Sequence, residues 1–214
     1  MAEFAKGIIN NYFSVAGAQI ISAPLSLLYL SLVTRMMGPL NYGKFALVLA
    51  SFQFFYTVFV SWIRNATVRF GSEEFTRHNK LNKIFAVQFS ALSFAIIFVS
   101  FLIMIYKKNI AEFTGLTTGI HLYILIYLVF YAFFDLACQL LQSSHQIQRY
   151  GLSLVIRQCL ILGLVILFFV LKIKLTPLSL ISVETLSYLA LLLFVVYPLF
   201  RSGYLRPVVL NKVV

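Results

Sequence analysis

Residues 91–106, ALSFAIIFVSFLIMIY, and 160–172, LILGLVILFFVLK, are apolar on every side of a helix and share a single charged residue, Lys172. A helix with no polar face is buried, either in the core of a large protein or in a bilayer. In lipid every backbone N–H and C=O must be bonded within the protein, which leaves α-helices and closed β-barrels. A barrel would show strict alternation over about ten residues at a time, and these runs do not alternate. Composition separates the bilayer from the soluble core: 61% of the residues are hydrophobic and 11% charged, with a mean hydropathy of +0.94. A soluble domain carries nearer ~25% charged residues. One crossing takes about 20 residues, and six runs qualify: 8–34, 44–66, 82–106, 119–143, 150–171 and 178–200. The expectation is an all-α, polytopic membrane protein, one six-helix unit over residues 1–214. Span one is long enough to tilt or to begin in the interface, since Asn10 and Asn11 interrupt it early. Ala16-Gly17-Ala18 matches a signal-cleavage pattern formally, but the stretch ahead of it is too short and polar for a leader.

Six crossings place both termini on one side. Of the 17 Lys and Arg, six fall on the opposite side (Arg35, Lys44, Lys107, Lys108, Lys172 and Lys174). The other eleven, from Lys6 through Arg64, Arg149 and Arg157 to Arg206 and Lys212, fall on the side of the termini. Positive charge marks the cytoplasmic face, so both termini are expected in the cytoplasm. The net charge of +11 follows from cationic flanks meeting anionic headgroups and implies no nucleic-acid partner. The longest polar connection, TVRFGSEEFTRHNK (67–80), reads as a short cytoplasmic helix with Glu73 four residues before Arg77.

No sequence motif of a hydrolase, kinase or nucleotide-binding loop is present. Cys138 and Cys159 lie within spans and lack metal-ligand spacing, and His78, His121 and His145 read as interfacial. The polar residues inside the spans are more informative. Asp135, Gln139, Gln142 and Gln146 recur at steps of 4, 3 and 4 and share one helix face; so do Gln53, Thr57, Ser61 and Arg64. Amide stripes of this kind serve both cavity lining and interhelical bonding. Ser14, Ala18, Ser22 and Ser26, at steps of four, read as close helix packing. Asp135 lies about eight residues from the cytoplasmic end of span four, roughly 12 Å deep at 1.5 Å per residue, and Arg157 lies at a similar depth in span five. A hairpin turning at residue 146 brings the two level, which predicts an Asp135–Arg157 ion pair, structural or functional. Glu184 is a second intramembrane carboxylate, and such residues are functional candidates by default. Pro24 and Pro198 predict bends in spans one and six.

The segment SLLYLSLVTRMMGPLNYGKFALVLASFQFF (26–55), followed by RNATVRFGSEEF (64–75), resembles the opening of the polysaccharide and oligosaccharide flippases. These form the Wzx-type branch of the multidrug/oligosaccharidyl-lipid/polysaccharide exporter superfamily. The likeness lies in a first helix ending at Arg35, a Gly38-Pro39-x-x-Tyr42-Gly43 turn, and a second helix ending in Arg69-Phe70-Gly71. It implies a MATE-like architecture of two six-helix lobes around a central cavity, of which this chain supplies one, an N-terminal half or one subunit of a homodimer. It further implies residence in the inner (cytoplasmic) membrane and a lipid-linked oligosaccharide on a polyprenyl pyrophosphate as substrate. The anionic head group would be met by Arg35, Arg64 and Arg157 and the sugars by Gln53, Gln139 and Gln142. Asp135 and Glu184 would couple transport to protons or sodium, with no other cofactor. Two alternatives within the membrane are a drug/cation antiporter, which would want a cavity dominated by carboxylates, and a transferase on polyprenyl lipids. The transferase would have only Glu73, Glu74 and His78 as a catalytic cluster. A non-transporting scaffold is a further alternative.

Overall fold

The computed structural model describes residues 2–116 and 119–204, with side chains from residue 13 onward. The side chains of Lys6, Asn10, Asn11, Arg206 and Lys212 lie outside the described residues. All regular structure among the described residues is helical: α1 (Ala2–Phe59), α2 (Ser61–His78), α3 (Asn82–Ile105), α4 (Lys107–Thr114), α5 (Ile120–Ser143), α6 (Ile147–Val170) and α7 (Pro177–Arg201). Five stretches are long and apolar enough to cross a membrane: Phe13–Phe59 in α1, and α3, α5, α6 and α7.

Spans three to six are found where the apolar runs place them. The first two are two helices that meet at a sharp break at Gly38, with no loop between them. They are joined in α1, whose apolar stretch of 47 residues is more than twice the length of one crossing at about 20 residues. The expected turn has shrunk to a single residue: Gly38 has φ 73° and ψ 163°, outside helical space. Only glycine adopts that conformation without strain, and Pro39 needs no backbone hydrogen-bond partner for its nitrogen, so the helix resumes at once. The second apolar segment also ends earlier than the expected residue 66. Pairing shifts at Val60, whose carbonyl accepts from the Ile63 N–H at 3.1 Å, and Ser61 begins α2.

The polar connection 67–80 is helical as far as His78, as its charge spacing suggested, and Arg77 pairs with Glu73 at 2.8 Å. Both side chains are exposed, so the pair contributes little to stability. Helix α2 ends at Asn79, left-handed at φ 51°, whose N–H reaches the Phe75 carbonyl. The start of α7 carries a reciprocal cap: Thr176 Oγ1 accepts from Ser179 N at 3.2 Å, and Ser179 Oγ accepts from Thr176 N at 2.8 Å. Pro177 occupies the first helical position, where a missing N–H costs nothing. Helices α1 and α7 continue through Pro24 and Pro198. Helix α4, a short amphipathic segment in the connection between α3 and α5, was not expected from the sequence.

Helix α6 rests chiefly on α1, and α5 chiefly on α7 and α2. The α1–α6 contact is close because both sides are small. A Cβ added at Gly151 would lie 3.3 Å from the Ser14 carbonyl oxygen and 3.4 Å from the Ala18 Cβ. The first half of the small-residue stripe is thus a packing seam, as its spacing suggested. Ser26 is exposed and donates to the Ser22 carbonyl at 2.8 Å. The core runs through α5 and α7, where Ile124, Leu128, Leu180 and Tyr188 are almost wholly buried. Ile20, Phe94 and Leu193 are about 70% exposed (72%, 73% and 68%). Such a surface belongs in lipid or against another protein rather than in water.

Candidate functional site

Five tyrosines, two carboxylates and one arginine meet between α1, α5, α6 and α7. Their arrival follows from helical spacing: Tyr127, Tyr131 and Asp135 lie at steps of four along α5, and Glu184 and Tyr188 one turn apart on α7. Asp135 Oδ2 accepts from the hydroxyl of Tyr56, on the second half of α1, and from Gln139 Nε2 at 2.6 Å. Glu184 is 5% exposed. Its Oε1 accepts from the Tyr29 hydroxyl at 2.7 Å and its Oε2 from the Tyr127 hydroxyl at 2.9 Å. These bonds hold both halves of α1 to the α5–α7 core.

The predicted Asp135–Arg157 ion pair is not formed. Among the described residues the only ion pair is Glu73–Arg77. Arg157 instead lies over the ring of Tyr188, with its guanidinium carbon 4.8 Å from the centroid. Helices α5 and α6 do not pack as a close hairpin: α6 leans on α1 and α7, and the Tyr188 side chain takes the guanidinium. The hairpin does touch one turn away, where Cys138 Sγ and Ser153 Oγ are 3.7 Å apart. Among the described residues Arg157 has no hydrogen-bond partner, and its Nε is buried. Gln139 Oε1 is likewise buried and unpartnered.

The other candidates divide. Gln139 belongs to the cluster and Gln142 is half-buried three residues further along α5, whereas Arg35, Gln53 and Arg64 are exposed. Gln53 donates to Thr57 at 3.0 Å, so the second polar stripe satisfies part of itself along one outward face. Arg35 stands apart, near the Gly38 kink.

Glu74 does not pair with His78 in any catalytic arrangement. Its two oxygens cap the start of α3, accepting from Lys83 N at 2.9 Å and Ile84 N at 2.7 Å. No group of three His, Cys, Asp or Glu able to hold a metal occurs among the described residues, and both cysteines are free thiols.

None of the five tyrosines was a candidate site residue on the sequence alone. The signal that could have found them was available: a tyrosine one or two turns from each intramembrane carboxylate. The hydroxyls that bond the carboxylates come from other helices, Tyr56 to Asp135 and Tyr29 and Tyr127 to Glu184, a pairing that spacing along one helix does not show.

A bundle of long apolar helices around a charged and hydroxyl-rich interior defines a multi-pass membrane protein whose intramembrane polar groups are gathered inward. The chain belongs to the polysaccharide biosynthesis protein family, whose model matches residues 8–212, the membrane flippase family that residues 26–75 resemble. No curated protein and no solved structure matches the chain significantly.

Proposed function

We propose that this chain flips a lipid-linked oligosaccharide on a polyprenyl pyrophosphate across the cytoplasmic membrane, by alternating access, for surface polysaccharide synthesis. The observation that carries the reading is Arg157: a cation deep in the helical bundle, bonded to no carboxylate, with its N–H donors uncommitted. A pyrophosphate leaving water loses hydration, and a guanidinium offers it paired, charge-assisted hydrogen bonds. On this reading α1 crosses twice about Gly38, which gives six crossings with both termini in the cytoplasm, and the unit forms one lobe of a MATE-like pair.

The exposed row of Gln53, Thr57 and Arg64 supports that placement, because polar groups on a membrane helix face a cavity or a partner in preference to lipid. The second wall of the cavity is a further six-helix lobe or another copy of this chain. Gln139 and Gln142 supply sugar contacts. Half-buried Asp135 and buried Glu184, both bonded to hydroxyls, take up a proton or sodium as the substrate comes and goes.

The test is reconstitution of the purified chain in liposomes, with transfer of a fluorescent polyprenyl pyrophosphate-linked oligosaccharide followed between leaflets. Transfer that Arg157→Ala abolishes is the expected result, either with the chain alone or after co-expression of a second six-helix lobe. A folded chain that moves no substrate in either setting overturns the reading.

A further inference from the structure

Resting on the reading of Arg157 as the receptor of an anionic head group, we infer that Tyr188 is its positioning residue. Tyr188 holds the guanidinium by its ring face and so leaves the N–H fork free for a phosphate or pyrophosphate.

Neither carboxylate of the cluster forms an ion pair with Arg157. Two carboxylates lie in the same cluster, and tyrosine hydroxyls bond both: Tyr56 reaches Asp135, while Tyr29 and Tyr127 reach Glu184. A guanidinium bonded to either carboxylate would present fewer donors to a ligand, and removing such a partner on each cycle would oppose binding. The ring of Tyr188 offers a different kind of hold. An aromatic face attracts a cation through its quadrupole and occupies none of the five in-plane N–H donors.

The ring is itself fixed. Tyr188 is 1% exposed and meets Tyr131 edge-on at 5.2 Å, Tyr127 edge-on at 5.6 Å and Phe134 at 5.4 Å. Three aromatic neighbours on α5 thus fix a ring on α7, and that ring lies against a guanidinium on α6. Preorganisation of this kind strengthens binding by removing the ordering cost at the moment of association. Arginine rather than lysine is required, since an ammonium has no plane to stack and no fork to present.

The experiment measures binding of farnesyl pyrophosphate to the full-length chain in detergent by calorimetric titration, with unfolding temperatures recorded in parallel. Arg157→Ala is expected to abolish measurable binding. Tyr188→Phe, which keeps the face and loses the hydroxyl, is expected to bind within about twofold of the parent, and Tyr188→Leu to bind about tenfold more weakly. Arg157→Lys, with Tyr188 intact, is expected to lose about tenfold as well.

Tyr188→Leu binding like the parent overturns the inference while leaving the Arg157 reading in place. Tyr188→Phe failing as badly as Tyr188→Leu also overturns it, since the hydroxyl would then be the required group. Binding that survives Arg157→Ala overturns the reading beneath it. Where Tyr188→Leu does not fold, the Tyr188→Phe and Arg157→Lys pair decides alone, and full binding by Arg157→Lys overturns the inference.

Discussion

Tyr29 and Glu184 are 155 residues apart in the chain and 2.7 Å apart in the fold, hydroxyl to carboxylate. The bond ties the first half of α1, most of whose apolar side chains face outward, to the buried face of α7. Tyr127 completes the arrangement from α5 at 2.9 Å. Removing either hydroxyl leaves one carboxylate oxygen of a buried group without its partner, and interhelical bonds in membranes are worth up to about 1–2 kcal/mol. Tyr29→Phe and Tyr127→Phe are each expected to lower stability by about that much, measured by unfolding in detergent or mixed micelles. Because they share one acceptor, their joint effect should depart from the sum of the single effects.

The same logic separates the two carboxylates. Asp135 bonds to Tyr56 and Gln139 and makes no ion pair with Arg157. A double-mutant cycle on Tyr56→Phe and Asp135→Asn should therefore return a coupling energy of about 0.5–3 kcal/mol. The corresponding cycle on Asp135→Asn and Arg157→Ala should return a smaller one. A larger Asp135–Arg157 coupling would mean that the salt bridge forms in the membrane after all.

Gly71 is required by the approach of α2 to α5. A Cβ built there would lie 2.6 Å from Ser143 Oγ and 2.8 Å from Ser143 Cβ, distances at which the helices must move apart. Ser143 is itself fixed, with its hydroxyl shared between the Gln139 carbonyl at 2.8 Å and the Thr67 carbonyl at 3.2 Å. Gly71→Ala is expected to destabilise by about 1–3 kcal/mol, the usual range for overpacking. Adding Ser143→Gly should restore part of the loss, and a thermal-unfolding comparison of the single and double variants checks it.

How much of this was legible in the sequence depends on what each feature needs. Helices α3, α5, α6 and α7 could be read because each is an apolar run bounded by polar residues, a local property. The Gly38-Pro39 pair announced a break but not its size, because a one-residue kink and a longer turn use the same residues and differ in what α1 packs against. For Asp135 and Arg157, depth along each helix was accessible from residue counts. Rotation of α6 toward α1 and α7 was not, since it is set by the Gly151 seam against Ser14 and Ala18, a contact between distant segments. The tyrosine cluster fell between these cases: its spacing to the carboxylates is local, yet the same tyrosines would suit a membrane interface equally well.

Glu74 gives the last prediction. Its carboxylate leaves α2 to accept from Lys83 N and Ile84 N at the start of α3, so one side chain fixes the corner between the two helices. Those N–H groups have no intrahelical acceptor, and a negative charge beside them also meets the positive end of the helix dipole. Glu74→Ala is expected to cost about 1–2 kcal/mol. Glu74→Gln should cost less, because one amide oxygen can still accept while the charge is gone. Hydrogen exchange at the first turn of α3 tests this directly: protection at Lys83 and Ile84 should fall in Glu74→Ala and partly recover in Glu74→Gln. Unchanged protection in Glu74→Ala would mean that the corner is held by apolar contacts alone, with Leu81 and Ile84 buried beside it.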